Sequence, residues 1–132
     1  MTLWLFAALL NSAASLTHIA IIVGGPNWYR FFGAGEAMAT MAEHKHPWPA
    51  VMTSGIAVAL MIAAAYCLAL GEYIRPLPFM TLIGLFITGV YTLRGLLPLL
   101  AMGFVPSLRT SFIIWSSLIC AGVALIHGLA WL

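Results

Sequence analysis

The chain has 132 residues, of which 64% are hydrophobic and 6% charged, and its formal net charge is +2 at pH 7. Its mean hydropathy of +1.09 lies far outside the usual range of soluble domains. These values exclude an ordinary soluble domain, and so small a positive charge does not indicate a nucleic-acid partner. Four apolar runs of about 20 residues, each long enough to cross a bilayer as a helix, cover residues 3–23, 50–70, 77–97 and 111–129.

The first run carries three polar residues, Asn11, Ser15 and His18, spaced four and three residues apart. This spacing places them on one face of a helix. Polar side chains are costly against lipid, so the face is predicted to point into the protein. Gly24-Gly25-Pro26 is predicted to end the helix, because glycine and proline in succession break helical continuity.

The connection between the first and second runs contains an aromatic cluster around Arg30, formed by Trp28, Tyr29, Phe31 and Phe32. Such rings are typical of the headgroup zone. Good helix formers follow from Glu36 to His44, and we expect a short interfacial helix there, ending before Pro47. The segment is either a plain membrane-surface connection or a lid over a site between the helices, with Glu36 pointing inward.

Histidines do not predict a metal or haem site. His44 and His46 flank Lys45, whose charge opposes a cation, and a closed four-ligand pattern is not visible. His18 and His127 each lie late in a run, but the two runs end at opposite faces of the membrane. They are therefore expected to be too far apart to ligate one metal. His127 is interpreted as a helix-end histidine near the interface, bonded to a carbonyl or water. We expect no cofactor and no metal ligands.

The second run contains Gly55, Ala59 and Ala63, a small-xxx-small stripe that allows close helix packing. We favour packing of this stripe within the chain, and a dimer contact is the alternative. The six-residue link 71–76 predicts that the second and third runs form an antiparallel hairpin. Together with the connection over 99–110, this topology places the first and third connections on the same side of the membrane.

Arg94, late in the third run, is the most informative single residue, because a guanidinium stays charged and is costly at membrane depth. Tyr91 lies three residues before it, and Thr88 lies three residues before Tyr91. His18 is expected at a similar depth. We therefore predict one polar ligand-binding pocket in the leaflet of the first connection. Its members are Ser15, His18, Thr88, Tyr91 and Arg94, closed by Glu36. Two alternatives stay open: a Glu36–Arg94 ion pair that only fixes packing, and an Arg94 side chain that reaches headgroup phosphates.

The fold class expected from these elements is all-α, a single transmembrane domain over 1–132 built as an antiparallel four-helix bundle. The sequence has no catalytic motif, no C-x-x-C pair and no glycine-rich phosphate loop, so no catalytic residue is assigned and an enzyme is disfavoured. The favoured function is binding of a small or lipidic ligand, with the lipid bilayer as the surrounding partner. The alternatives are a scaffolding subunit of a membrane complex without a ligand, and a small transporter acting as a homo-oligomer.

Several segments resemble a group of uncharacterised small four-transmembrane-helix membrane proteins of proteobacteria. They are the residues 46–50 (HPWPA), Tyr66, residues 75–78 (RPLP), residues 91–96 (YTLRGL) and residues 112–118 (FIIWSSL). The four-helix layout with an aromatic first connection is also loosely similar to DoxX-like membrane proteins, in architecture alone. The first resemblance implies a bacterial inner-membrane location, and neither implies an activity.

Overall fold

The computed structural model describes residues 2–132, and the regular secondary structure in that range is entirely helical, as the sequence predicts. The α-helices of the described chain are α1 (Leu3–Gly24), α2 (Pro26–Phe31), α3 (Glu36–Glu43), α4 (Trp48–Leu70), α5 (Met80–Ala101) and α6 (Ser111–Ala130). A short 3-10 helix, Pro106–Leu108, precedes α6. Within residues 2–132, four helices (α1, α4, α5 and α6) are long and apolar enough to cross a membrane. The chain is a multi-pass, all-α membrane protein.

The predicted bounds of the first, second and fourth spans lie within two residues of the helices, but those of the third span were wrong. The span expected over 77–97 is α5, Met80–Ala101. Phe79, at φ 55°, adopts a left-handed conformation just before α5, and Pro78 precedes it, so the helix begins late. Pro98 lies inside α5 without ending it, although it offers no N–H to the Arg94 carbonyl. Proline is tolerated inside membrane helices in this way.

The chain divides into two compact units. The first unit contains residues 2–10 and Ala63–Leu132. Its hydrophobic core is made of Ala7, Ala8 and Cys67, against which Trp4, Leu68 and Ile126 pack. Helices α5 and α6 pack against each other in this unit, and Gly95 of α5 lies directly against the backbone of α6. A Cβ added at Gly95 would come 2.5 Å from the backbone nitrogen of Ala121.

The second unit, Asn11–Ile62, contains α2 and α3 as a small helical hairpin. Its core is formed by Ile21, Tyr29 and Ala39. The chain reverses between the two short helices through Gly33 and Gly35, whose φ values of 68° and 97° are costly for residues with a side chain. The short helix predicted over 36–44 is confirmed as α3. Helix α2 was not predicted, although Pro26 at its first position is a helix-start signal.

The small-residue stripe of α4 is only partly used for packing. Ala63 is buried, whereas Gly55 and Ala59 are exposed. Among the described residues, no atom lies within 4 Å of a Cβ added at Gly55. Packing within the chain therefore does not account for the first two residues of the stripe.

Candidate functional site

Arg94 extends from α5 to two serine hydroxyls on α6. Its Nη1 donates to Ser117 Oγ at 3.4 Å, and its Nη2 donates to Ser116 Oγ at 3.2 Å. Ser117 is completely buried, while Arg94 itself is exposed. Ser116 in turn donates to the Ile113 carbonyl of its own helix at 3.2 Å. The guanidinium is thus held in place by neutral oxygens, with part of its surface open.

Arg94 and its two serine partners lie well inside the ends of two helices that are long enough to cross a membrane. A helix rises about 1.5 Å per residue, so Arg94 lies roughly 10 Å before the end of α5 at Ala101. Ser116 and Ser117 lie roughly 8–9 Å after the start of α6 at Ser111. A helix the length of α6 matches the roughly 30 Å thickness of the hydrocarbon core. Because Arg94 bonds to hydroxyls at its own depth, its side chain does not extend outward to the helix ends.

The ion pairs of residues 2–132 all belong to a different arginine, Arg30 on α2. Arg30 Nη2 lies 2.7 Å from Glu36 Oε1, and its Nε donates to both oxygens of the same carboxylate. Arg30 Nη1 lies 2.7 Å from Glu43 Oε1. Hydrogen bonds from Arg30 hold the pKa of Glu36 and the pKa of Glu43 below their usual range, and the two carboxylates raise the pKa of Arg30. Glu36, expected to close a pocket, clamps α3 to α2.

The predicted polar face of α1 is confirmed by its burial. Asn11 and Ser15 are buried, at 0% and 1% exposure, and His18 is half-buried. Ser15 Oγ donates to the Ala57 carbonyl of α4 at 2.7 Å, which ties the two long helices of the second unit. His18 Nδ1 lies 2.7 Å from the carbonyl of Ala14, four residues earlier. A carbonyl only accepts, so Nδ1 carries a proton and a neutral His18 presents a bare Nε2.

Thr88 and Tyr91 lie on α5, on the side that meets α6. Thr88 Oγ1 donates to the Gly84 carbonyl at 2.8 Å and accepts from the indole Nε1 of Trp131 at 3.2 Å. The Tyr91 ring meets the His127 ring edge to face, with centroids 5.4 Å apart. These contacts link the C-terminal end of α6 to the middle of α5.

His127 is the largest fully buried side chain of the described residues, which sequence reasoning did not foresee. It is 1% exposed and lies three residues before the end of α6 at Ala130. Its Nε2 lies 3.5 Å from Cys67 Sγ, and the Trp4 ring lies 5.9 Å away, centroid to centroid. Trp4 also meets Trp131 edge to face at 5.0 Å. This aromatic cluster fills the interior of the first unit.

The six predicted site residues fall into two sets of three, one in each unit. Ser15, His18 and Glu36 belong to the second unit, and Thr88, Tyr91 and Arg94 belong to the first. The first unit adds Ser116 and Ser117, which sequence analysis did not include in the site. The sequence does contain a signal for these two residues. Ser116 and Ser117 are adjacent serines in the apolar fourth run, at a depth similar to that of Arg94 in the third run.

A groove of about 330 Å³ lies between α5 and α6, away from the polar residues. Its lining is almost wholly apolar: Thr92, Leu96, Ala121, Ala124, Leu125, Gly128 and Leu129. At about 100° per residue, Thr92 lies about 200° around α5 from Arg94. On α5, the groove residue Thr92 and the site residue Arg94 therefore point in different directions.

None of residues 2–132 form a group of three or more His, Cys, Asp or Glu side chains that could hold a metal ion. His46 has a structural contact instead. Its Nδ1 accepts the backbone N–H of Trp48 at 3.1 Å, at the start of α4. The proton of neutral His46 is then on Nε2, which makes that nitrogen a donor.

No protein-family model, curated protein or solved structure matches the chain. The resemblance to small proteobacterial membrane proteins stays a prediction. The class of the protein, a small multi-pass helical membrane protein, therefore stands on its composition and its four long helices.

Proposed function

We propose that this membrane protein binds the anionic headgroup of a membrane-resident amphiphile at Arg94, with Ser116 and Ser117 positioning the guanidinium. The observation that carries the proposal is an arginine within a span whose described contacts are two neutral hydroxyls. The resemblance noted above supports placing the protein in a bacterial inner membrane as part of the same proposal.

Charge balance is the physical argument for an anionic ligand. Transferring a guanidinium into hydrocarbon is costly, and intramembrane arginines are usually paired or open to water. Hydroxyl oxygens accept hydrogen bonds but leave the positive charge in place. Glu36 and Glu43 are both engaged by Arg30. A ligand anion would neutralise the guanidinium and form charge-assisted hydrogen bonds, which are among the stronger ones.

The other residues predicted for the site differ in whether their contacts support a role beside Arg94. Tyr91 and Thr88 lie about one and two turns before Arg94 on α5 and contact the C-terminal part of the α6 segment, so they support the helix packing beside the site. Ser15 and His18 belong to the second unit, so the wider pocket that includes them stays a prediction. The contacts of Glu36 do not support a gating role, and we leave it out of the site.

A scaffolding subunit is the second candidate function. The exposed Gly55 and Ala59 on α4, with open space beside Gly55, favour it because small residues allow a foreign helix to approach closely. In that case Arg94 would meet a carboxylate on a partner helix, and no amphiphile would be needed.

Native mass spectrometry in mild detergent tests the proposal. The wild type is compared with Arg94→Gln and with Arg109→Gln, a matched control in which an exposed arginine outside the spans is changed. A stoichiometric anionic lipid or amphiphile retained by the wild type and the control, but lost from Arg94→Gln, is the expected result. Equal spectra for all three proteins, without a bound anion, would overturn it in favour of scaffolding.

A further inference from the structure

We infer that the anion bound at Arg94 is the terminal carboxylate of a long-chain acid, rather than the phosphodiester of a phospholipid. This inference rests on the proposed function and names the ligand class for the same site. It follows from the depth of the site and from the apolar surface beside it, while the single charge of the site and the donors that remain on the guanidinium are compatible with a carboxylate.

Depth separates the two kinds of headgroup. Arg94 lies roughly 10 Å inside the end of α5, so its ligand must bring its charge into the hydrocarbon layer. A phosphodiester carries a polar substituent on each side, glycerol and the head alcohol, and both would have to follow it inward. A fatty carboxylate is terminal, and its one substituent is an alkyl chain that prefers the hydrocarbon.

Charge and geometry fit a carboxylate but would also fit a phosphodiester, which likewise carries one negative charge and two acceptor oxygens, so depth decides between the two groups. The site offers one guanidinium, which matches one negative charge. Of the five N–H donors of an arginine, the serines take one on each terminal nitrogen, which leaves three. Two neighbouring donors of this set can meet both oxygens of a planar carboxylate, the bidentate arrangement that guanidinium favours.

An apolar path leads from the site toward the bilayer centre. Val90 lies one turn from Arg94 on α5 and is 47% exposed, and Ile119 lies three residues after Ser116 on α6 and is 64% exposed. Both therefore share the helix faces of the site residues and offer surface to an alkyl chain. With its carboxylate at Arg94, the chain of the ligand would run along these side chains, with the same orientation as the surrounding lipid tails.

The test is a titration of the protein in nanodiscs of zwitterionic phosphatidylcholine, with carboxyl-13C palmitate, phosphatidylglycerol and hexadecanol as separate probes. The proteins are the wild type, Arg94→Lys, Arg94→Gln and the control Arg109→Gln. Bound palmitate is followed by its 13C carboxyl resonance, which also reports its titration with pH. Circular dichroism checks that each variant keeps its helices.

Palmitate is expected to bind the wild type and Arg109→Gln alike, with its carboxyl held ionised at lower pH than in empty nanodiscs. Arg94→Gln should weaken palmitate binding about tenfold to hundredfold, as expected for loss of hydrogen bonds to a charged group. The affinity of Arg94→Lys for palmitate should be intermediate, because lysine keeps the charge but loses the planar guanidinium. Hexadecanol, with the same chain and no charge, should bind no better to the wild type than to Arg94→Gln.

The other outcomes separate the inference from the proposed function. Arg94-dependent binding of phosphatidylglycerol without Arg94-dependent binding of palmitate would overturn the carboxylate inference and leave the proposed function standing. If neither anion bound in an Arg94-dependent way, both would fail. Equal binding of palmitate and hexadecanol would show an apolar contact only and would also reject the inference.

Discussion

Gly95 of α5 lies against the backbone of Ala121 on α6, so closely that a Cβ at position 95 would approach the Ala121 nitrogen to 2.5 Å. The neighbouring atoms are main-chain atoms of a helix, which cannot move aside as the end of a side chain can. The contact lies next to Arg94 in the sequence and so fixes the spacing across which Arg94 reaches α6. Helix packing and the candidate site therefore depend on one another.

Gly95→Ala is expected to destabilise the protein by about 1–3 kcal/mol, the range for overpacking a tight contact. Gly89→Ala is the matched control on the same helix, because no described atom lies within 4 Å of a Cβ there. Alanine should be neutral or stabilising by up to about 1 kcal/mol at that position, from helix propensity. Thermal unfolding in detergent measures both. Equal melting temperatures for the two variants would contradict the close approach of α5 and α6.

Acidification is expected to weaken the clamp between α2 and α3. Arg30 lowers the pKa of Glu36 and the pKa of Glu43 in the folded protein. A carboxylate with a lowered folded pKa stabilises the fold above its unfolded pKa, and this contribution is lost as the pH falls through the folded pKa. In Arg30→Gln, both carboxyl groups should titrate at higher pH than in the wild type. Carboxyl 13C chemical shifts measure this, and Arg75→Gln serves as the control. Unchanged titration of both glutamates in Arg30→Gln would show that the ion pairs do not form.

Ser15→Ala tests the contact between α1 and α4 in the second unit. The buried Ser15 hydroxyl donates to the Ala57 carbonyl at 2.7 Å, and its loss should cost about 0.5–1.5 kcal/mol. Ser54→Ala, an exposed serine of α4, should have no measurable effect. The readout is the melting temperature in detergent. A Ser15→Ala protein as stable as Ser54→Ala would show that the hydrogen bond is not made.

Tyr29 is expected to stabilise the helical hairpin mainly through its ring. It is 2% exposed, and its hydroxyl oxygen lies 3.3 Å from Thr53 Oγ1. Tyr29→Phe keeps the ring and should cost about 1 kcal/mol, the usual worth of one hydrogen bond. Tyr29→Ala should cost about 3–5 kcal/mol, as for other buried aromatic residues. Protease susceptibility of residues 24–47 and thermal unfolding measure the difference. Similar losses for both variants would assign the stabilisation to the hydroxyl instead.

The sequence was sufficient for the helices and the buried face of α1, because these follow from local patterns. Apolar runs of membrane length predict α1, α4 and α6 within two residues of their bounds, and the spacing of Asn11, Ser15 and His18 predicts their common face. The start of α5 was misplaced, since Leu77 and Phe79 are apolar but lie beside prolines that delay the helix. Hydropathy alone does not distinguish apolar residues inside a helix from apolar residues in the link before it.

Pairing between distant side chains was less predictable. Glu36 was assigned to Arg94 by expected depth, yet it binds Arg30, only six residues away. Glu36 and Glu43 lie two turns apart on one face of α3, so both carboxylates reach the same guanidinium. The burial of His127 was not predicted, because it depends on contacts with Trp4 and Tyr91, which are distant in sequence. Single-sequence patterns do not contain the register of one helix against another.

The most direct test of the central claim is a distance measurement at the Arg94 guanidinium in a lipid bilayer. Solid-state NMR of protein with 15N-labelled arginine side chains, in membranes containing carboxyl-13C palmitate and phosphatidylglycerol, detects dipolar contacts from nitrogen to 13C and to 31P. We expect a contact within about 4 Å, the ion-pair range, to the carboxyl carbon, present in the wild type and Arg109→Gln and absent in Arg94→Gln. A spectrum without any Arg94-dependent contact to 13C or 31P would contradict the account.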